Sequence, residues 1–266
     1  MPFVESAGAR IHWDAQGAGT PVLLIMGHLY SGRMWYPLLP ALSQTHRAIT
    51  FDNRGTGESD TTRAPSLAQF ATDALAVLDA AGVERAHVYG VSMGGGIAAE
   101  FAMRYPDRVA SLVLGCTMMK ATQGPRRPWL ARLAYYLPRG LVTALFRNRA
   151  AYGSAAPADA VDTDLQMLAG ERFTMRGARA QAAAIANYVT TSDAIARLTM
   201  PTLVLHGDED RLVDIKHGRE LAAAIPSSRL VVFAGAGHNY LVAANAASTA
   251  AVLGFFDEVD RQAGAA

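Results

Sequence analysis

The sequence predicts an α/β domain built on a mostly parallel sheet, and three observations carry that prediction. Short continuous apolar runs, of which Val22-Leu23-Leu24-Ile25-Met26 is the clearest, are too short for helices and suit strands buried on both faces. Helical stretches alternate with these runs, which implies right-handed crossovers and parallel neighbours. A sharp turn, Gly90-Val91-Ser92-Met93-Gly94, joins one such run to an Ala-rich helix.

Taken in order, Phe3 to Gly8 and Arg10 to Gln16 read as two short strands turned at Ala7-Gly8-Ala9, an antiparallel start at one edge. Gly17-Ala18-Gly19 leads into the apolar run, where the parallel sheet begins. After the loop Gly27-His28-Leu29-Tyr30-Ser31-Gly32, Met34 to Leu42 reads as a helix with Trp35, Leu38, Leu39 and Leu42 on one side, and Arg47 to Phe51 as a strand. The polar loop Asp52-Asn53-Arg54-Gly55-Thr56-Gly57-Glu58-Ser59-Asp60 has neither a Gly-Lys-Ser/Thr ending nor a dinucleotide fingerprint, so a phosphate cradle is rejected. Asp52, Arg54 and Asp60 are expected to brace a turn.

Ser66 to Ala81 is the clearest helix: Ser66 and Gln69 form a capping-box pattern, Leu67, Phe70, Ala71, Ala74, Leu75 and Leu78 share a face, and Gly82 is the stop. His87 to Val91 reads as the strand entering the turn at Ser92, Ile97 to Met103 as the helix leaving it, ended by Pro106, and Val109 to Leu114 as the next strand. From 118 to 198 the pattern becomes helical, rich in Arg, aromatics and Ala and interrupted by prolines. It reads as an inserted helical cap, leaving 1–117 and 199–266 as the core domain. Thr202 to His206, a helix from Ile215 to Ala224, a strand from Arg229 to Phe233 and a last helix from about Tyr240 to Val259 complete the alternation.

Composition narrows the function. A chain of 266 residues that is 51% hydrophobic can bury a sizeable core, yet no run reaches a membrane span. Net charge is +1 with Lys and Arg scattered, so neither nucleic acid nor a membrane is an expected partner, and a small-molecule substrate is. A single cysteine, Cys116, rules out an internal disulfide, and the opening residues lack a basic segment followed by an apolar core. Both suit a cytoplasmic enzyme, monomer or homodimer. No His, Asp or Glu cluster has zinc-ligand spacing along the chain, so no metal and no cofactor is expected.

A serine hydroxyl becomes a nucleophile when a base lies within hydrogen-bond reach and a third group holds that base in the right tautomer. His238, in Gly235-Ala236-Gly237-His238-Asn239, falls in the loop after the last strand, and Asp210, in Gly207-Asp208-Glu209-Asp210, in the loop after the preceding one. The order Ser, Asp, His suits a nucleophile on such an elbow. Ligands in open α/β sheets bind beyond the carboxyl ends of the strands, where Gly27, Ser92, Cys116, Asp210 and His238 all fall.

With the elbow, the loop Asp52 to Ser59, the segment Gly207 to Asp210 and Gly237-His238, the chain resembles the α/β-hydrolase-fold superfamily, including its serine esterase, lactonase and haloperoxidase-like members, over nearly all its length. The resemblance implies Ser92 as nucleophile, His238 as base and Asp210 as the orienting acid, with Asp208 the rival. It also implies an oxyanion hole from the backbone N–H groups of Met93 and His28. Family members often end the strand before that loop with His-Gly, whereas this chain has Met26-Gly27-His28, which puts the His28 side chain forward as a substrate contact. Leu29, Trp129, Tyr136 and Tyr240 complete the candidate substrate-binding set, with Leu133, Leu137, Leu141 and Phe146 as further cap candidates shared with cap packing. His12, His46, His87, His206 and His217 are expected to be packing residues, as is Cys116, and Arg126 and Arg127 a solvated face.

The expected function is hydrolysis of an ester, thioester or lactone of a small to medium apolar compound. Two alternatives stand beside it. One is the same triad used for perhydrolysis, as in a cofactor-free haloperoxidase, or for lyase-type cleavage; the other is a non-hydrolytic ligand-binding or cyclase-like protein on this fold. Haloalkane dehalogenase and epoxide hydrolase readings are weaker, since those relatives place an aspartate where this chain has Ser92.

Overall fold

The apolar runs assemble into one eight-stranded sheet. A computed structural model describes residues 2–62, 65–119 and 151–264, and its strands are β1 (Phe3–Ser6), β2 (Ala9–Gln16), β3 (Thr20–Ile25), β4 (His46–Phe51), β5 (Ala86–Val91), β6 (Val109–Gly115), β7 (Thr202–Gly207) and β8 (Ser228–Phe233). Their spatial order is β1-β2-β4-β3-β5-β6-β7-β8. β1 and β2 are antiparallel to their neighbours and the other pairings are parallel, so the antiparallel start lies at one edge.

The unbroken apolar character of β3 follows from its place in the middle of the sheet. Leu23 and Ile25 pack on one face with Phe70, Val77 and Leu78 of α2 (Leu67–Ala80) and with Ile97 and Phe101 of α3 (Met93–Arg104). Val22 and Leu24 pack on the other with Trp35, Leu38 and Leu42 and with Phe255 and Phe256 of the C-terminal helix. Successive residues of a strand face opposite ways, so a strand covered on both sides must be apolar at every position.

Three expected helices differ in detail. Met34 to Leu42 is not one helix but a 3-10 turn, Gly32–Trp35, followed by the single turn α1 (Leu39–Leu42). Pro37 and Pro40 lack the N–H groups a continuous helix would use, although Trp35, Leu38, Leu39 and Leu42 are all buried as expected. At the start of α2 the Ser66 hydroxyl accepts the Gln69 N–H at 3.2 Å, but the Gln69 side chain turns to Asp73 instead of back to Ser66, so the capping box is half made. The last helix is two, α8 (Tyr240–Ala243) and α9 (Asn245–Gly264), with α7 (Ile215–Ala224) before β8.

Between β6 and β7 the described residues form α4 (Ala158–Ala169), α5 (Met175–Ala186) and α6 (Ser192–Ile195). The Thr174 hydroxyl caps α5 by accepting the Gly177 N–H. A Cβ on Gly177 would lie 2.5 Å from the Gly55 carbonyl oxygen, so glycine there lets α5 rest on the loop after β4. Trp129 and Tyr136, with Arg126, Arg127, Leu133, Leu137, Leu141 and Phe146, lie outside the described residues. Among those described, no helix is long and apolar enough to cross a membrane.

Candidate active site

Ser92 stands between β5 and α3 with φ 55° and ψ −121°, in a region of backbone space that a non-glycine residue occupies only when its surroundings compel it. The compulsion is visible in its neighbours. A Cβ on Gly90 would come within 2.0 Å of the Gly94 carbonyl oxygen, and one on Gly94 within 2.0 Å of the Ile25 carbonyl oxygen. The Ser92 N–H donates to the Gly115 carbonyl at 2.8 Å, and its own carbonyl accepts from the Gly95 N–H and the Thr117 hydroxyl. The turn is therefore held on both sides, and it presents the serine at the carboxyl end of the sheet.

The loops after β7 and β8 bring two partners to it. Ser92 Oγ lies 3.0 Å from His238 Nε2, and His238 Nδ1 lies 2.7 Å from Asp210 Oδ2. The other Asp210 oxygen accepts the Leu212 and Val213 N–H groups, both at 2.8 Å. Asp208, the rival acid, instead accepts the Gly235 N–H at 2.7 Å and braces the turn that carries His238.

Burial by itself would raise the Asp210 pKa. The charge of His238 and the hydrogen bonds from His206, His238 and the Val213 N–H overcome that and hold the carboxyl well below the usual range. Burial also disfavours the His238 imidazolium, but the Cys116 sulfur in its ionised form and the Asp210 carboxylate favour it, and the net shift is upward. Cys116 is buried, with its sulfur 4.0 Å from His238 Nε2.

The loop after β3 runs beside the serine, with a Cβ on Gly27 falling 3.2 Å from Ser92 Cβ. Residues between β6 and β7 grip this loop at three points. The His28 ring donates from Nε2 to the Ala178 carbonyl at 3.2 Å, the Leu29 N–H donates to Gln181 Oε1 at 3.0 Å, and Glu171 accepts the Ser31 N–H at 2.6 Å. Burial, partly opposed by the bond to Ala178, lowers the His28 pKa to about 4, so the ring is neutral near pH 7 and its Nε2 carries the proton. Leu29 adopts φ 70°, a left-handed conformation that a leucine keeps only when held.

A cavity opens beside Ser92, walled by Leu67, Met93, Ile185, Tyr188 and Val213 with Cys116 and Thr117. Its lining is mostly apolar. Ile185 and Tyr188 belong to the end of α5 and the residues just after it, and no motif distinguishes them in the sequence. Gln181 and Asp164 carry no motif either. Asp164, buried in α4, accepts hydrogen bonds from the Tyr36 and Tyr152 hydroxyls and from the amide of Asn239, the residue after His238. Burial raises its pKa, and those three hydrogen bonds oppose the rise only in part.

Tyr240, a candidate substrate contact, points into the core. Its side chain is fully buried, stacks on Phe233 and shares a 2.7 Å hydrogen bond with the Tyr89 hydroxyl inside the core. Four histidines expected only to pack also have polar partners: His12 meets Asp52, His46 meets the Thr45 hydroxyl, His87 meets Ser111 and Asp260, and His217 meets Glu220. His206 packs against the acid loop as expected, 3.3 Å from Asp210. Arg54 does more than brace its turn, pairing with buried Asp73 and donating to the Ser6 carbonyl.

A serine on a strand-to-helix elbow, in line with a histidine and an aspartate on the loops of a mostly parallel sheet, defines the class as the α/β hydrolases. The family model described as "alpha/beta hydrolase fold" matches residues 20–242. A putative carbamate hydrolase RutD from Azorhizobium caulinodans is 30% identical, over 98% of this chain and 100% of its own. A 2-hydroxymuconate semialdehyde hydrolase from a Pseudomonas strain is 29% identical, over 98% and 95%. A thermophilic esterase structure from Thermogutta terrifontis superposes with a TM-score of 0.84 at 25% identity, over 97% of this chain and 98% of the other. The chain belongs to the α/β-hydrolase-fold family and is a hydrolase of it.

Proposed function

We propose that this protein is a serine hydrolase acting on an ester, thioester or lactone of a small to medium, largely apolar compound, through an acyl-enzyme on Ser92. What carries the reading is the continuous line from Ser92 Oγ through the His238 ring to Asp210, at 3.0 and 2.7 Å. In the reactive form, with His238 neutral, the Ser92 hydroxyl donates to His238 Nε2, and His238 Nδ1–H donates to Asp210. As Ser92 attacks the carbonyl carbon, His238 takes the proton and then delivers it to the leaving oxygen or sulfur, while Asp210 steadies the imidazolium. The N–H groups of Met93, at the start of α3, and of His28 receive the negative charge that develops on the carbonyl oxygen. Water, activated by the same histidine, releases the acid.

The residues between β6 and β7 act in this reading as a cap. Leu67, Ile185, Tyr188 and Val213 supply an apolar wall for the substrate, and His28 and Leu29, gripped by α5, border the serine from the other side.

A second reading is supported by the full-length similarity to a 2-hydroxymuconate semialdehyde hydrolase: the same three residues would then cleave a carbon–carbon bond beside a carbonyl. The similarity to a carbamate hydrolase supports C–N cleavage in the same way. A panel of aryl esters of increasing acyl length, simple lactones, aryl carbamates and a ring-cleavage dienone, run on wild type and Ser92→Ala, separates these. The ester reading expects highest kcat/KM on an ester or lactone and none in the variant. Turnover of the dienone or a carbamate far above every ester would replace it.

A further inference from the structure

At the end of the sheet remote from Ser92, three side chains from separate elements converge. His46 opens β4, His87 is the second residue of β5 and Asp260 lies on α9. His87 Nε2 is 3.0 Å from Asp260 Oδ1, His46 Nε2 is 3.9 Å from Asp260 Oδ2, and the ligating atoms all lie within 4.8 Å of one another. The two imidazoles are 0% and 2% exposed, whereas the Asp260 side chain is 33% exposed. The cluster is thus closed on the protein side and reachable from solvent past the carboxylate.

Each ring is turned by a hydroxyl on its other nitrogen. His87 Nδ1 lies 2.7 Å from Ser111 Oγ and His46 Nδ1 lies 2.8 Å from Thr45 Oγ1, and Phe256 stacks on the His87 ring at 4.4 Å. Metal-binding histidines are oriented in this way, by a partner on the nitrogen that does not ligate. Burial lowers the pKa of both rings against the opposing pull of Asp260, so near pH 7 they are neutral. Without an ion His87 Nε2–H donates to Asp260; when an ion takes that position the proton moves to Nδ1, where Ser111 Oγ accepts it. Asp257, one turn earlier on α9, acts electrostatically on His46 and adds negative charge; Arg85 acts in the opposite sense on His87.

A hydrogen-bonded pair explains His87 and Asp260 but not His46. The Asp260 oxygen that His46 Nε2 faces stands beyond hydrogen-bond distance, although the imidazole is buried. That nitrogen nonetheless lies within 4.8 Å of both other candidate ligand atoms. Tetrahedral zinc, about 2.0–2.1 Å from nitrogen and oxygen ligands, spaces its ligand atoms roughly 3.3 Å apart. His87 and Asp260 already stand near that separation, and an inward turn of His46 completes it.

We propose that His46, His87 and Asp260 form a three-ligand site for a divalent transition-metal cation, zinc foremost, with water in the fourth position. The chain's spacing hides it because the ligands come from three distant elements. His87 and Ser92 stand at opposite ends of β5, roughly 16 Å of strand apart, so the ion ties β4 and β5 to the C-terminal helix and takes no part in the chemistry.

The test is titration of chelator-stripped protein with Zn²⁺ by calorimetry and with Co²⁺ by visible absorption, on wild type, His46→Ala, Asp260→Asn and Cys116→Ala. Cys116→Ala is included because Cys116, Asp210 and His238 form the other described group able to hold a cation. The expected result is stoichiometric Zn²⁺ binding by wild type and Cys116→Ala, and a loss on the order of a hundredfold in affinity in His46→Ala and Asp260→Asn. Zn²⁺ should also raise the Tm of wild type and leave that of Asp260→Asn unchanged, and Co²⁺ should show no thiolate charge-transfer band. Absence of binding at millimolar Zn²⁺, or binding that survives Asp260→Asn and disappears in Cys116→Ala, overturns the proposal. Should His46→Ala fail to fold, the near-isosteric Asp260→Asn decides alone.

Discussion

Gln181 Oε1 accepts the Leu29 N–H at 3.0 Å, and through that bond a helix inserted between β6 and β7 sets the loop beside the candidate nucleophile. Gln181 is fully buried, and its amide nitrogen donates to the Arg54 carbonyl at 2.8 Å. One side chain therefore fixes two loops, those after β3 and β4. The left-handed conformation of Leu29, which orients the His28–Leu29 peptide, is held by this contact.

If the His28 N–H serves the oxyanion, Gln181 is a positioning residue. Gln181→Leu should lower kcat by roughly tenfold to a hundredfold, short of the 10²–10³ that loss of a whole donor costs, while KM stays within about twofold. Gln181→Glu keeps the acceptor for Leu29 and should recover part of kcat. Steady-state kinetics on the best substrate of the panel provides the check; a rise in KM with kcat unchanged would make the contact one of substrate binding only.

Asp210 and Asp208 stand two residues apart and should behave differently. Asp210→Asn should reduce kcat by about 10⁴-fold, whereas Asp208→Asn, which alters the brace on the Gly235 N–H, should keep most of the activity. The pH profile supplies an independent reading. His238 must be neutral to accept a proton, and its pKa is raised, so the acid limb of kcat/KM in wild type should lie above the ordinary histidine value. Removing the Asp210 charge should move that limb to lower pH in the residual activity.

The elbow glycines and a helix glycine should respond with opposite signs. Gly90→Ala or Gly94→Ala drives a methyl group into a carbonyl oxygen at 2.0 Å and should destabilise by about 3 kcal/mol or more. Gly254 lies inside α9 with open space, 4 Å or more, around the point where a methyl group would stand, and should gain roughly 0.5–1 kcal/mol on replacement by Ala. Denaturant unfolding of the three variants measures both effects.

The Arg54–Asp73 pair is buried on both sides, 3% and 1% exposed. Asp73→Ala leaves the guanidinium without its counter-charge and should cost about 3–5 kcal/mol. The same loop presents its Arg54 carbonyl to Gln181, so activity should fall further than stability alone explains at temperatures where the variant is folded. Unfolding curves paired with kcat at low temperature test this.

Much of the fold is legible in the sequence, for physical reasons that also mark where legibility stops. β3 announces itself because a strand covered on both faces leaves almost no polar position, and the elbow because two glycines must flank a strained serine. That the loops carrying His238 and Asp210 should come near Ser92 follows from the rule that loops at one end of a parallel sheet meet, and the choice of Asp210 over Asp208 from the family resemblance. The break at Pro37 and Pro40 is in the sequence, and the apolar spacing of Trp35, Leu38 and Leu42 hides it, since a 3-10 turn followed by one α-turn buries the same residues. Tyr240 follows a site residue by two positions yet points into the core, which side-chain direction decides and proximity in sequence does not. Gln181, Tyr188 and Asp164 carry no local pattern, because their partners come from elements far along the chain; the same holds for His46, His87 and Asp260.

Whether Ser92 is an activated nucleophile decides the proposed chemistry, and labelling with a fluorophosphonate probe followed by intact mass, on wild type and Ser92→Ala, answers that without any knowledge of the substrate. A single adduct is expected on the wild type, on the elbow peptide after digestion, and none on the variant. An unlabelled wild type that is fully folded, or an adduct that persists in Ser92→Ala, would rule out the serine mechanism.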